Sequence, residues 1–124
     1  MIDHISLGTT HYGQSVIFYQ RVLAPLGMAL QRDTGAEASF GTASHWPFFL
    51  YPIAAGQQVT APGAHFAFAA ASRAEVMAVY ETAMAASGTS TVTQRERPDI
   101  SPTYFGAIFL DLDGHRIEVL THAQ

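Results

Sequence analysis

Apolar and polar residues alternate over residues 2–9, which predicts a strand with Ile5 and Leu7 on one face and Ile2, His4, Ser6 and Gly8 on the other. The period then lengthens. Ser15, Phe18, Tyr19, Val22, Leu23 and Leu26 recur every three or four residues, the stripe of a helix packed on a sheet. Pro25 and Gly27 mark the end of that helix. Short strands are expected over residues 28–34, 37–42 and 48–53, broken by Asp33-Thr34-Gly35 and by residues 43–47. Residues 57–62 are polar and contain a proline, the composition of a linker.

After the linker the same order returns. Residues 63–69 alternate, with Phe66 and Phe68 opposed to His65, Ala67 and Ala69. Ser72-Arg73-Ala74-Glu75 is a capping box, and Val76, Val79, Tyr80, Ala83 and Met84 form the buried stripe of the helix it starts. Gly88 is placed to end that helix. Strands are expected over residues 89–95, 104–110 and 116–120, with a polar loop at 96–102. Asp113-Gly114 reads as a two-residue hairpin turn, since such turns need positive φ and Asp-Gly tolerates it. In the last strand Ile117 and Val119 point one way and Glu118 the other, and a carboxylate there is costly to bury unless something positive holds it.

Each half therefore reads strand, helix, three strands: an α+β chain with one domain over residues 1–124. Module one covers about 1–56, the linker about 57–62, and module two about 63–124. Superposing the halves places His4 on His65 and Phe49 on Glu118. Three of these four related positions hold residues able to bind a metal.

Composition narrows the chemistry. Six Lys and Arg and a net charge of -4 cannot make a phosphate-binding stripe, so nucleic acid is not an expected partner. Charged residues are only 13% of the chain, which suits a small neutral or apolar ligand. No apolar run is long enough for a membrane span, and a cytoplasmic location is expected. With no cysteine, a metal would be held by His and carboxylate.

The sequence resembles the vicinal-oxygen-chelate superfamily, which includes glyoxalase I, bleomycin-resistance proteins, extradiol dioxygenases and fosfomycin-resistance thiol transferases. The residues that carry the resemblance are Asp3-His4-Ile5-Ser6-Leu7, Ser15 with Phe18-Tyr19, and Leu23-Ala24-Pro25-Leu26-Gly27. Gly63-Ala64-His65-Phe66-Ala67-Phe68 and Asp111-Leu112-Asp113-Gly114-His115-Arg116-Ile117-Glu118 complete it, with Leu112 standing where the family usually has Pro. The resemblance implies two βαβββ modules forming a cupped, partly open β-sheet barrel with helices outside, and usually a homodimer. It also implies that His4, His65 and Glu118 hold one divalent metal ion: Fe, Mn, Zn or Ni. The fourth ligand of glyoxalase I falls at about Phe49, and the arginine it carries after its first ligand falls on Gly8. Glyoxalase I activity itself is therefore not expected.

Two His and one carboxylate with open positions suit a divalent ion that polarises two adjacent oxygens of a substrate. The expected function is a metal-dependent enzyme acting on a small substrate, either lactoylglutathione-lyase-like or extradiol-dioxygenase-like. The alternatives are a non-catalytic, bleomycin-resistance-type binder of an amphipathic molecule and a fosfomycin-resistance-like thiol transferase. Candidate substrate contacts are His45, Phe49, Tyr104, His122 and Ser6. His115, after the turn glycine, is expected at the surface, and His11 in a solvated loop. Taken singly, each of these residues reads more simply as a core or edge residue. The joint, symmetric placement of His4, His65 and Glu118 is what argues for a metal.

Overall fold

The computed structural model describes residues 1–124. In chain order the elements are β1 (Ile5–Thr9), α1 (Tyr12–Leu23), β2 (Ala29–Asp33), β3 (Ala38–Gly41), β4 (Phe48–Pro52), β5 (Phe66–Ala69), α2 (Arg73–Ala85), β6 (Thr89–Glu96), β7 (Phe105–Leu110) and β8 (Arg116–Thr121). A 3₁₀ turn at Ala24–Leu26 extends α1 past Pro25, and left-handed Gly27 ends it. The strands form two four-stranded sheets, ordered β1-β4-β3-β2 and β5-β8-β7-β6. In both modules the first strand lies parallel to the last, and the other pairs are antiparallel. The repeat read from the pattern is thus a repeat of topology, and both sheets are open.

Each helix covers one face of a sheet. Leu7, Phe40, Phe48 and Leu50 of the first sheet, and Ala107, Phe109, Ile117 and Val119 of the second, join the apolar stripes of α1 and α2 in one buried cluster. Rings meet across the modules: Phe18 lies 6.3 Å from Phe109 and Phe48 lies 5.6 Å from Phe68. Burying each such side chain contributes about 1.5–3 kcal/mol, so the shared core fixes one module against the other. The opposite faces of the sheets, which carry Ser6, Phe49, Ala67 and Glu118, stay at least partly exposed.

The last hairpin differs from the two-residue turn expected for it. The Asp111 N–H donates to the His115 carbonyl (3.0 Å) and the Gly114 N–H to the Asp111 carbonyl (3.1 Å), while Gly114 alone has positive φ, at 89°. The loop is longer because Asp111 Oδ1 accepts the N–H groups of both Asp113 (3.0 Å) and His115 (2.9 Å). The side chains of this loop reach into module one. Asp113 accepts from Thr10 N–H at 2.8 Å and from the Thr9 and Thr10 hydroxyls, Asp111 accepts from the Tyr19 hydroxyl at 2.5 Å, and His115 Nε2–H donates to the Gly8 carbonyl at 2.8 Å. His115 is therefore buried (6% exposed), not at the surface. His11 is the N-cap residue of α1 and lies beside Asp113.

The end of α2 also differs. Ser87, with φ of 75°, takes the left-handed position, and Gly88 follows it. Gly88 is needed for close approach instead: a Cβ there would stand 2.8 Å from the Ala83 carbonyl oxygen. At the other end of α2 the capping box forms in part, with Glu75 N–H donating to Ser72 Oγ at 3.2 Å.

Candidate functional site

The strand register makes the superposition of the two modules exact in position. Ser6 pairs with Phe49 between β1 and β4, and Ala67 pairs with Glu118 between β5 and β8. His4 lies two residues before Ser6, and His65 two residues before Ala67. Ser6 with Phe49 thus repeats as Ala67 with Glu118, and His4 lies against Phe49, their ring centroids 5.1 Å apart. Both histidines stand just ahead of their strands, which begin at Ile5 and Phe66 and not at residues 2 and 63 as the alternation suggested.

His4, His45 and His65 line one cleft of about 360 Å³, together with Asp3, Pro47 and Phe68 among others. Nδ1 of His4 lies 2.7 Å from Asp3 Oδ1, which leaves Nε2 free. His45 Nε2 donates to the Asp3 carbonyl at 2.9 Å. The hydrogen bond from His4 holds the Asp3 carboxyl below its usual range. Asp3 was passed over as a site residue in the sequence, although its place directly before His4 was a signal for it.

Glu118 is not among the residues that line this cleft. It lies on the open face of the second sheet, paired with Ala67 on one side and Ile108 on the other. Burial first, and then the Glu118 charge, raise the Tyr104 phenol above its ordinary pKa, against the opposing effect of Arg97 and Arg95. The ring of His122 lies 6.3 Å from that of Tyr104, and its Nδ1 is 3.2 Å from Thr103 Oγ1. The eight candidate residues thus fall into two groups. His4, His45, His65 and Phe49, with Ser6 beside Phe49 in register, surround the β1 edge. Glu118, Tyr104 and His122 occupy the second sheet.

In a single chain no group of three or more His, Cys, Asp or Glu side chains gathers closely enough to hold a metal ion. The donor types themselves fit one: two imidazoles and a carboxylate are a borderline set suited to a divalent first-row ion.

Residues 1–119 match the family model of the glyoxalase/bleomycin resistance protein/dioxygenase superfamily. The chain belongs to this superfamily. Among solved structures of the superfamily fold, a glyoxalase/bleomycin resistance protein from Albidiferax ferrireducens is 23% identical, with 96% of each chain covered and a TM-score of 0.83. A mutant of the fosfomycin resistance protein FosX from Listeria monocytogenes, complexed with Mn(II) and 1S,2S-dihydroxypropylphosphonic acid, is 22% identical. It covers 96% of this chain and 87% of its own, with a TM-score of 0.69. A superfamily enzyme from Burkholderia phytofirmans is 14% identical over 98% of both chains, with a TM-score of 0.74. At these identities the likeness is one of fold. No protein of curated function matches the chain. No helix is long and apolar enough to cross a membrane.

Proposed function

We propose that this superfamily member is a metal-dependent enzyme that takes a small substrate with two adjacent oxygens, and that its site is completed by a second copy of the chain. His4, His65 and Glu118 are the ligands of this reading, shared between the two chains. The observation that carries it is the doubled register, in which Ser6 opposite Phe49 in module one repeats as Ala67 opposite Glu118 in module two; His4 and His65 each stand two residues before these strand positions. The helix-side faces of both sheets share one core, so their open faces look outward from it. A symmetric dimer supplies the missing half-site to each.

A bound divalent ion would supply Lewis acidity, stabilising negative charge on the two substrate oxygens. The chain's own residues do the rest. Asp3 orients His4 through Nδ1, which leaves Nε2 for ligation. Phe49, where a fourth ligand would stand, gives the site an apolar wall and leaves Glu118 as its single carboxylate. Proton transfer between paired carboxylates is thus not available, which favours a lyase, isomerase or dioxygenase reaction other than that of glyoxalase I. His45, Ser6, Tyr104 and His122 are the substrate contacts of this reading, and the cytoplasm its location.

The structural neighbour that carries Mn(II) and a dihydroxy phosphonate favours a second reading, a fosfomycin-resistance-like activity on a related small oxygen-rich molecule. The experiment that tests the enzyme reading is elemental analysis of protein purified without chelators. Near-stoichiometric divalent metal that is lost in Glu118→Ala supports it. A folded, metal-free protein that binds amphipathic ligands would replace it with the bleomycin-resistance-type binder. Oxygen uptake with catechols, run beside a methylglyoxal–glutathione assay, then separates the enzymatic branches.

A further inference from the structure

His4 stands outside the strand ladder. The Ile5 N–H donates to the Pro47 carbonyl at 2.9 Å, and the pairing of β1 with β4 starts there. At the other end the Ile53 N–H donates to the Thr9 carbonyl, also at 2.9 Å. In a parallel pair alternate residues of a strand face the partner, so Thr9, Leu7 and Ile5 offer their carbonyls to Ile53, Tyr51 and Phe49 in turn. The next carbonyl in that series is Asp3, and the next donor would be residue 47. That residue is proline, which has no N–H to give. The ladder therefore stops at Ile5, and residues 1–4 are all exposed.

The Asp3 carbonyl is bonded all the same. It accepts Nε2–H of His45, from the loop between β3 and β4, at 2.9 Å. That loop is folded closely on itself. The Thr42 N–H donates to the His45 carbonyl at 2.9 Å, and a Cβ at Gly41 would stand 2.8 Å from both Trp46 Cα and Pro47 Cδ. His45 thus reaches Asp3 from a fixed base. The Asp3 carboxylate in turn lies 2.7 Å from His4 Nδ1, and the His4 ring rests against Phe49. Two hydrogen bonds in series therefore join the β3–β4 loop to the His4 imidazole.

We propose that His45 is the positioning residue for His4: its ring supplies to Asp3 the bond that Pro47 cannot make. Asp3, held in this way, orients the His4 imidazole through Nδ1. This rests on the reading of His4 as a ligand. Outer partners set the orientation of a ligating imidazole, and a segment beyond the ladder has no strand bonds to do so. One side-chain bond takes their place. A carbonyl only accepts, so the His45 proton sits on Nε2 and the lone pair on Nδ1. Nδ1 is then the ring nitrogen left to face the cleft, and it meets a ligand there as an acceptor. A ligand with an N–H or O–H at that point is the one that fits.

The test uses the full chain, labelled with 15N. In His45→Ala the heteronuclear NOE of the Asp3 and His4 amides is expected to fall toward that of a free terminus, while the melting temperature holds. Mn(II) affinity, followed by electron paramagnetic resonance, is expected to fall about tenfold in the same variant. His45→Gln, which keeps a donor where Nε2 stands, should retain most of both. The double variant His45→Ala/Pro47→Ala gives residue 47 an N–H, and should recover the order of Asp3 and His4 together with the lost affinity. Unchanged NOE values in His45→Ala, or an unchanged affinity in protein that binds Mn(II), overturn the assignment. A His45→Gln as impaired as His45→Ala, or a folded double variant that stays as mobile, overturns it too. If the native chain takes up no Mn(II), the metal reading falls on that result, and the NOE values alone decide whether His45 holds the segment. Should the double variant fail to fold, His45→Ala and His45→Gln still decide.

Discussion

The Asp113 carboxylate, at the tip of the last hairpin, accepts the backbone N–H of Thr10 at 2.8 Å and so joins positions 103 apart in sequence. Thr9 and Thr10 donate to it as well, and its side chain is 1% exposed. Removing it leaves those donors without an acceptor in a site closed to water. Hydrogen bonds to a buried charge are worth about 1.5–3 kcal/mol. Asp113→Ala should therefore lower stability by about 2–3 kcal/mol in urea unfolding, and an unchanged midpoint would show that the hairpin does not hold the modules together.

The two aspartates of this loop respond to pH in opposite directions. Burial alone would raise Asp113, but hydrogen bonds from Thr9, Thr10 and His11 outweigh it and hold its pKa below the ordinary value. Its stabilisation is full above the unfolded pKa of about 3.9 and is lost as pH falls through the folded value. Burial dominates at Asp111 and raises it despite the bonds from Tyr19 and His115. Its contribution is present at low pH and is lost as pH rises through the folded value. Thermal melts should show Asp113→Asn well below the native chain at pH 7 and converging with it in acid. Asp111→Asn should cost less at pH 7 than Asp113→Asn does.

Ser87 holds a left-handed backbone, with φ of 75°, at the end of α2. A side chain there costs about 1 kcal/mol relative to glycine. Ser87→Gly should raise stability by roughly that amount, read as a higher melting temperature, while Gly88→Ala should lower it by pressing on the Ala83 carbonyl.

If the site spans two chains, His4→Ala and Glu118→Ala damage different halves of it. Refolding the two variants together should restore about one-quarter of the native metal content, since half of the dimers formed would be mixed and each would carry one intact site. No recovery on mixing would place all three ligands within one chain.

Phe49 occupies the position that Glu118 occupies in the other module. Phe49→Glu supplies a second carboxylate beside His4 and should tighten divalent-metal binding about tenfold by isothermal titration calorimetry. An affinity unchanged or weakened would mean that this position does not face the ion.

Much of the fold was legible from the chain. Alternation around Ile5 and Leu7, and the stripe through Phe18 and Val22, depend on burial that periodicity records directly. The same alternation singled out His4, His65 and Glu118, and the register sets Phe49 and Glu118 at matching places in their modules. What the sequence did not reveal depends on partners distant along the chain. His115 looked like a surface residue because nothing local marks the Gly8 carbonyl as its acceptor. Gly88 looked like the helix stop because glycine is the usual left-handed residue, whereas here its smallness is used and Ser87 bears the strain.

Most of the stretch from Asp111 to His115, the part of the sequence that most sharply marks the superfamily, is occupied in bonding one module to the other. Its presence in a chain therefore reports architecture and is silent about reaction. Two proteins sharing it can differ entirely in chemistry if, as proposed here, the residues that meet a ligand project from the opposite side of the sheet. Divergence of function in such a scaffold would need changes only on that side, at places such as Phe49 and Glu118, with the clasp left untouched.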